Sequence, residues 1–163
     1  QHDGPAAVRY PRGSGAGLET TGQPLDTLPI GKGLIVRAID KAKPPKKKIA
    51  FICFGPLLYN ALPVAEELNA TVVDMRFVKP LDEELLANIA RTHDALVFVE
   101  DSAVKGGAGS ACLEFLADQN IQIESMRMGL PDEYVEHGEV NFLLDLYGLS
   151  SEKIKQRVLT RFV

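Results

Sequence analysis

ALVFVEDSAVKGGAGSACLEFL, residues 95–116, is the stretch that decides the fold. It opens on the apolar run Ala95 to Val99, ends that run on the pair Glu100-Asp101, and passes through Gly106-Gly107-Ala108-Gly109-Ser110. Apolar residues then return at helical spacing as Cys112, Leu113 and Leu116. The order is strand, glycine turn, helix. An apolar run with almost no alternation suits a strand covered on both faces, as in a parallel sheet between helix layers. The loop from Glu100 to Ser110 then lies at the carboxyl edge of the strand, where α/β sheets usually bind ligands. The glycines do not make a phosphate loop. Gly107, Gly109 and Cys112 give G-x-G-x-x-C, which lacks the third glycine of a dinucleotide fold, and no Gly-Lys-Ser/Thr follows. Backbone N–H groups at the helix start could hold an anion. The plainer reading is a tight turn and a close backbone approach.

The chain has 163 residues, 45% apolar and 25% charged, enough for one domain with a real core. A net charge of −4 gives no electrostatic case for nucleic acid or an anionic membrane. No apolar run approaches the roughly 20 residues of a membrane span, and no signal-peptide pattern is visible. Cys53 and Cys112 sit inside apolar patterns and read as buried thiols of a reducing compartment. His2, His93 and His137 do not have the spacing of a zinc site. The start, QHDGPAAVRYPRG, has no methionine and begins in mid-pattern, which reads as a fragment of a longer protein.

Outward from the organising stretch, the remaining elements follow. Residues 5–10 read as a strand, and residues 14–30, rich in glycine, threonine and proline, as a linker between a preceding domain and the main one. Leu34 to Ile39 and Ile49 to Phe54 read as two strands whose short connection allows an antiparallel pair. That connection holds Lys41, Lys43 and Lys46-Lys47-Lys48 around Pro44-Pro45, and reads as a solvated loop rather than a phosphate patch. Leu57 to Leu68 has helical period interrupted by Pro63, so the helix starts late with Asn60 as N-cap, or kinks. Thr71 to Phe77 is a strand. A helix follows, with Asp82, Glu83 and Glu84 near its first turn, Leu81, Leu85, Ile89 and Ala90 on its buried face, and His93 as a dipole-favoured surface residue at its end. Ile121 to Met128 is the last strand. A short helix carries Phe142, Leu143 and Leu146, and a final one begins at Ser150 and buries Ile154, Val158 and Phe162. The alternation predicts a three-layer α/β sandwich with right-handed crossovers.

No self-contained catalytic site is visible. Glu100 and Asp101 are adjacent, so on a regular strand they point to opposite faces. Ser102 and Ser110 have no histidine placed near them, and Asp132, Glu133, Glu136 and His137 read as a solvated loop. The best candidate is Arg9-Tyr10-Pro11-Arg12-Gly13, where two arginines three apart, stiffened by proline, could grip a phosphate. Exposed charges at a domain boundary are the equal alternative.

GPAAVRYPRG (4–13), LPIGKG (28–33), LNATVVDMRFVKPLDEELL (68–86), VED-x-A-x3-GGAGS (99–110) and GLPDEYVEHG (129–138) together resemble the carboxyl-terminal part of the 1-deoxy-D-xylulose-5-phosphate synthase family, within the thiamin-diphosphate transketolase superfamily. The resemblance covers almost the whole chain. It implies a transketolase C-terminal domain over 31–163: a five-stranded mixed sheet, first strand antiparallel, in an α/β/α sandwich. It makes residues 1–13 the last strand of a pyrimidine-binding domain. It also implies a cytoplasmic (in plants, plastid) homodimeric transferase that joins pyruvate to D-glyceraldehyde 3-phosphate with loss of CO2, using thiamin diphosphate and Mg2+, in isoprenoid and thiamin precursor synthesis. Arg12 would hold the substrate phosphate, with Arg9 the weaker candidate. Catalytic, cofactor and metal residues would lie outside this chain, and the fragment alone would be inactive. A transketolase, a 2-oxoacid dehydrogenase beta subunit, or a non-catalytic assembly module are the alternatives.

Overall fold

The computed structural model describes residues 4–8, 22 and 27–163. Its ten elements follow the expected alternation: β1 (Leu34–Arg37), β2 (Ile49–Phe54), α1 (Leu58–Leu68), β3 (Thr71–Asp74), α2 (Glu83–Thr92), β4 (Ala95–Ala103), α3 (Ala108–Asp118), β5 (Glu124–Leu130), α4 (Val140–Leu146) and α5 (Ser151–Phe162). One mixed sheet has the order β1-β3-β2-β4-β5. β1 runs antiparallel to β3 and the other pairs are parallel. β2 and β4 are central. Every residue of β2 is buried, as are Ala95 to Glu100 of β4, so apolar side chains are needed on both faces.

Alternate strand residues divide the core in two. Phe51, Cys53, Val97 and Val99 pack with α1 and α5, while Ile52, Val73, Leu96 and Phe98 pack with α2 and α3. The chain moves one way across the sheet from β2 to β3 and the other way from β3 through β4 to β5. Crossovers of one hand must change face when direction reverses, which puts α1 opposite α2 and α3.

Two helix starts carry the local signals visible in the sequence. Ser150 accepts from the Lys153 amide and Ile154, Val158 and Phe162 are buried, as the sequence predicts. Asp82 caps α2, accepting from the Leu85 amide, and also takes the amide of Gly33 at 3.0 Å. Burial by itself would raise the pKa of Asp82, but these two N–H groups and the Lys32 ammonium outweigh it and hold the carboxyl below its usual range.

Other expectations need correction. The proposed pair of strands before and after the lysine loop does not form: β1 sits on β3, and β3 separates it from β2. The lysine loop is pinned at its base instead. Asn69, in the left-handed region at the end of α1, donates through Nδ2 to the carbonyls of Asp40 and Lys43. α1 begins at Leu58 and continues through Pro63, and Asn60 is no cap: its side chain donates to the Leu149 carbonyl at 2.9 Å. β3 stops at Asp74, three residues early, and Arg76 has a positive φ of 60°. β5 starts later than Ile121, which packs under α2 and α3 instead. On α2 the fully buried leucine is Leu86, with Leu81 and Leu85 only partly covered.

His93 is half-buried and held at both ring nitrogens rather than freely exposed. Its Nδ1 lies 3.0 Å from the Ile89 carbonyl and its Nε2 2.8 Å from Thr71 Oγ1, which fits a neutral ring donating from Nδ1 and accepting the threonine proton. Burial lowers its pKa from 6.5, assisted by Lys48 and opposed by the Ile89 carbonyl and Asp94. Cys53 and Cys112 are both free and buried. Burial, with the Glu100 charge adding to it, pushes the Cys112 thiol up to about 12, and Cys53 is raised further.

Candidate functional site

Glu100 is the centre of the carboxyl edge. It follows Phe98 on the same face of β4, which turns its side chain toward the start of α3 and buries it to 1% exposure. Its Oε2 accepts the Ala108 amide at 2.7 Å and its Oε1 the Gly109 amide at 2.9 Å, and the Ser102 hydroxyl also donates to Oε2. These are first-turn N–H groups of α3, which no carbonyl within the helix can satisfy. The anion that the helix start invites is therefore the chain's own carboxylate, held by oriented donors and the helix dipole.

The glycines make room for it. A Cβ on Gly107 would lie 2.2 Å from Glu100 Oε2 and 2.3 Å from the Ala103 carbonyl. One on Gly109 would lie 2.9 Å from Phe98 Cβ and 3.2 Å from Glu100 Oε1. On β5, a Cβ at Gly129 would meet the Ser102 carbonyl at 2.7 Å and Glu100 Cγ at 3.1 Å. Gly106 has a different role, a φ of +69° that turns the loop. The expected tight turn and close approach are both present, and what approaches is a side chain.

A second strap lies beside the first. Arg127 of β5 donates through Nη1 to Ser110 Oγ at 2.6 Å and to the Val104 carbonyl at 3.0 Å, and the Val104 amide donates to the Leu130 carbonyl. As expected, Glu100 and Asp101 diverge. Asp101 lies on the other side, where a Cβ on Gly55 would come within 3.2 Å of its Oδ1. An open groove of about 440 Å3 runs along the outer wall of the loop, lined by Val78, Lys79, Ser102, Lys105 and Gly106, among others.

The remaining candidates are dispersed. Arg9 and Arg12 lie outside the described residues, as does most of the 14–30 segment; Pro5 to Val8 are exposed and carry no regular secondary structure. Asp132, Glu133, Glu136 and His137 are exposed, and Lys105 Nζ lies 3.9 Å from Asp132. Among the described residues no group of three or more His, Cys, Asp or Glu could hold a metal ion. The glycine-flanked helix start is filled by Glu100, so it does not fit a diphosphate. Among the described residues, no helix is long and apolar enough to cross a membrane.

The 1-deoxy-D-xylulose-5-phosphate synthase of Leptothrix cholodnii is 51% identical over 163 residues, covering 99% of this chain and 25% of that protein. The synthase of Bordetella parapertussis is 46% identical over 162 residues, again covering 99% of this chain and 25% of the relative. The chain thus spans about a quarter of the length of these relatives. Among solved structures, a split-gene transketolase, an inactive beta4 tetramer, matches with a TM-score of 0.70 at 30% identity over 82% of this chain and 43% of its own. Transketolase from Leishmania mexicana matches in fold alone, with a TM-score of 0.53 at 13% identity over 80% of this chain and 18% of its own. The family defined as transketolase, C-terminal domain, matches residues 40–154, and the chain belongs to that family.

Proposed function

We propose that this chain is the carboxyl-terminal module of a 1-deoxy-D-xylulose-5-phosphate synthase. Such an enzyme condenses pyruvate with D-glyceraldehyde 3-phosphate, with loss of CO2, on the way to isoprenoid and thiamin precursors. The observation that carries the reading is identity of 46% and 51% to synthases across 99% of the chain. In this reading residues 1–13 close a pyrimidine-binding domain, 14–30 link it to the module at 31–163, and the parent works as a cytoplasmic homodimer. Thiamin diphosphate supplies the carbanion chemistry when bound, and it and Mg2+ are held by other parts of the parent. The module alone is inactive.

Arg12 is the residue of this chain assigned to substrate. A guanidinium fork on a phosphate makes charge-assisted bonds worth roughly 1.5–3 kcal/mol each, so losing one raises KM about ten- to hundred-fold. In the full-length parent, Arg12→Ala is expected to raise KM for glyceraldehyde 3-phosphate by that factor, and Arg12→Lys by less. Pyruvate, which has no phosphate, serves as the control. An unchanged KM for the phosphorylated acceptor would return Arg12 to a boundary charge. A parent that accepted ketose donors instead would place the module in a transketolase.

A further inference from the structure

Between β5 and α5 the chain reads PDEYVEHGEVNFLLDLY, residues 131–147, with five carboxylates and no lysine or arginine. Asp132, Glu133, Glu136, Glu139 and Asp145 are all exposed. Apolar side chains stand among them: Tyr134 is fully exposed, and Val140, Phe142 and Leu146 are 54%, 63% and 62% exposed. α4 has seven residues and none is buried. Isolated helices below about 12–15 residues are marginal in water, and proteins hold short ones by packing an apolar face. α4 turns Leu144 toward the core while Phe142 and Leu146, one turn apart on the opposite side, face outward, the pattern of a helix covered on both sides.

The charge pattern says what covers it. Glu139 caps α4 through the Phe142 amide, Asp145 accepts from Ser150, and Lys105 Nζ lies 3.9 Å from Asp132. A complementary surface carries lysine or arginine around an apolar hollow. A second copy of this chain fits poorly. Its basic stretch, Lys41 to Lys48, precedes β2 at the amino edge of the parallel strands, whereas residues 131–139 follow β5 at the carboxyl edge. That stretch, KAKPPKKK, carries no large apolar side chain, so it offers Phe142 and Leu146 no hollow.

We infer that residues 131–139 and α4 form the face by which this module seats on a basic, apolar-lined surface in the rest of its parent polypeptide. The inference rests on the parent reading above, and three quarters of the length of the matched synthases lies outside the part this chain spans. The test is hydrogen–deuterium exchange on two proteins, this chain and the Leptothrix cholodnii synthase carrying it in place of its own matching quarter. Amides of 134–146 are expected to exchange about ten-fold or more slowly in the chimera. Phe142→Ser with Leu146→Ser, or Glu133→Lys with Glu136→Lys, is expected to abolish that protection, and all four side chains are exposed enough for the fold to tolerate it. Ile35→Ser, on the exposed edge strand, is expected to leave it unchanged. Equal exchange in both proteins overturns the inference, as does protection that grows with concentration of this chain alone. Synthase activity of the chimera reads the parent assignment separately. An active chimera with unprotected 134–146 removes the docking face alone, while an inactive one that still protects it keeps the face and counts against the parent.

Discussion

Glu100→Gln is expected to destabilise this domain by roughly 2–4 kcal/mol, although it removes one proton's worth of charge and almost no volume. The carboxylate accepts from the Ala108 amide, the Gly109 amide and the Ser102 hydroxyl, all in a pocket with 1% exposure. A glutamine has one carbonyl oxygen, so its NH2 must face one of the two amides donor to donor. The loss is one hydrogen bond to a charged group, about 1.5–3 kcal/mol, together with part of the 1–3 kcal/mol that a buried, unpaired N–H costs. Ser102 can turn its hydroxyl to accept, which limits the damage on the Oε2 side. Urea unfolding followed by circular dichroism gives the free-energy difference, and amide exchange at Ala108 and Gly109 locates it. Glu100→Ala leaves all three donors without their acceptor and is expected to lose more, about 3–5 kcal/mol. If Glu100→Gln were within about 0.5 kcal/mol of the parent sequence, with unchanged exchange at both amides, the carboxylate would not be what holds the start of α3.

Three further outcomes follow from contacts of the same kind. Gly107→Ala is expected to cost roughly 1–3 kcal/mol or more, because its Cβ collides with Glu100 and with the Ala103 backbone, whereas Gly106→Ala, with open space around it, costs about 1–2 kcal/mol of left-handed strain; paired urea titrations compare them. Asp82→Ala is expected to lose about 1–2 kcal/mol from the α2 cap, measured by thermal unfolding at pH 7. Since the folded pKa of Asp82 is lowered, its stabilisation is complete above the unfolded value near 3.8 and lost as pH falls through the folded one, so the difference between Asp82→Ala and the parent sequence should shrink below pH 4. His93 also has a lowered folded pKa, so the unfolded chain binds the proton first and stability declines as pH falls below about 6.5; His93→Gln should flatten that part of the profile, and an unchanged slope would contradict the half-buried neutral ring.

The parts of the fold legible in the sequence are those fixed by neighbours along the chain. Ser150 followed by apolar residues at 154, 158 and 162 is a cap and a stripe, and both are settled within one helix. The partner of β1 is a different matter. Leu34 to Arg37 carry the same pattern whether they pair with β2 or β3, and the choice is made by β3 and by Asp82, which takes the Gly33 amide from 49 residues away. The half-burial of His93 is set at a similar distance, because the groups that cover it include Thr71, 22 residues earlier. At the candidate site the glycine loop was legible as a close approach but its occupant was not. The available signal was an acidic residue closing a doubly buried strand, followed within nine residues by two glycines and an alanine at a helix start. Short side chains at 107, 108 and 109 leave room for a carboxylate that longer ones would exclude.

The self-supplied anion also constrains what the carboxyl edge of this sheet can contribute. In an α/β sheet that binds phosphate, the first turn of a helix is left open and its N–H groups are satisfied by ligand. Here two of them are bonded to a glutamate on the adjacent strand, and the loop between is strapped again by Arg127 and Val104. Binding an anion at that point would require expelling Glu100 from a pocket in which it makes three bonds, so the edge is fixed rather than receptive. A rigid edge suits a different task. It holds β4, β5 and the loops that leave them in one orientation, and the chain leaving β5 is the segment whose acidic and apolar side chains face outward. The same glutamate that closes the start of α3 to anions therefore fixes the platform from which residues 131–146 project.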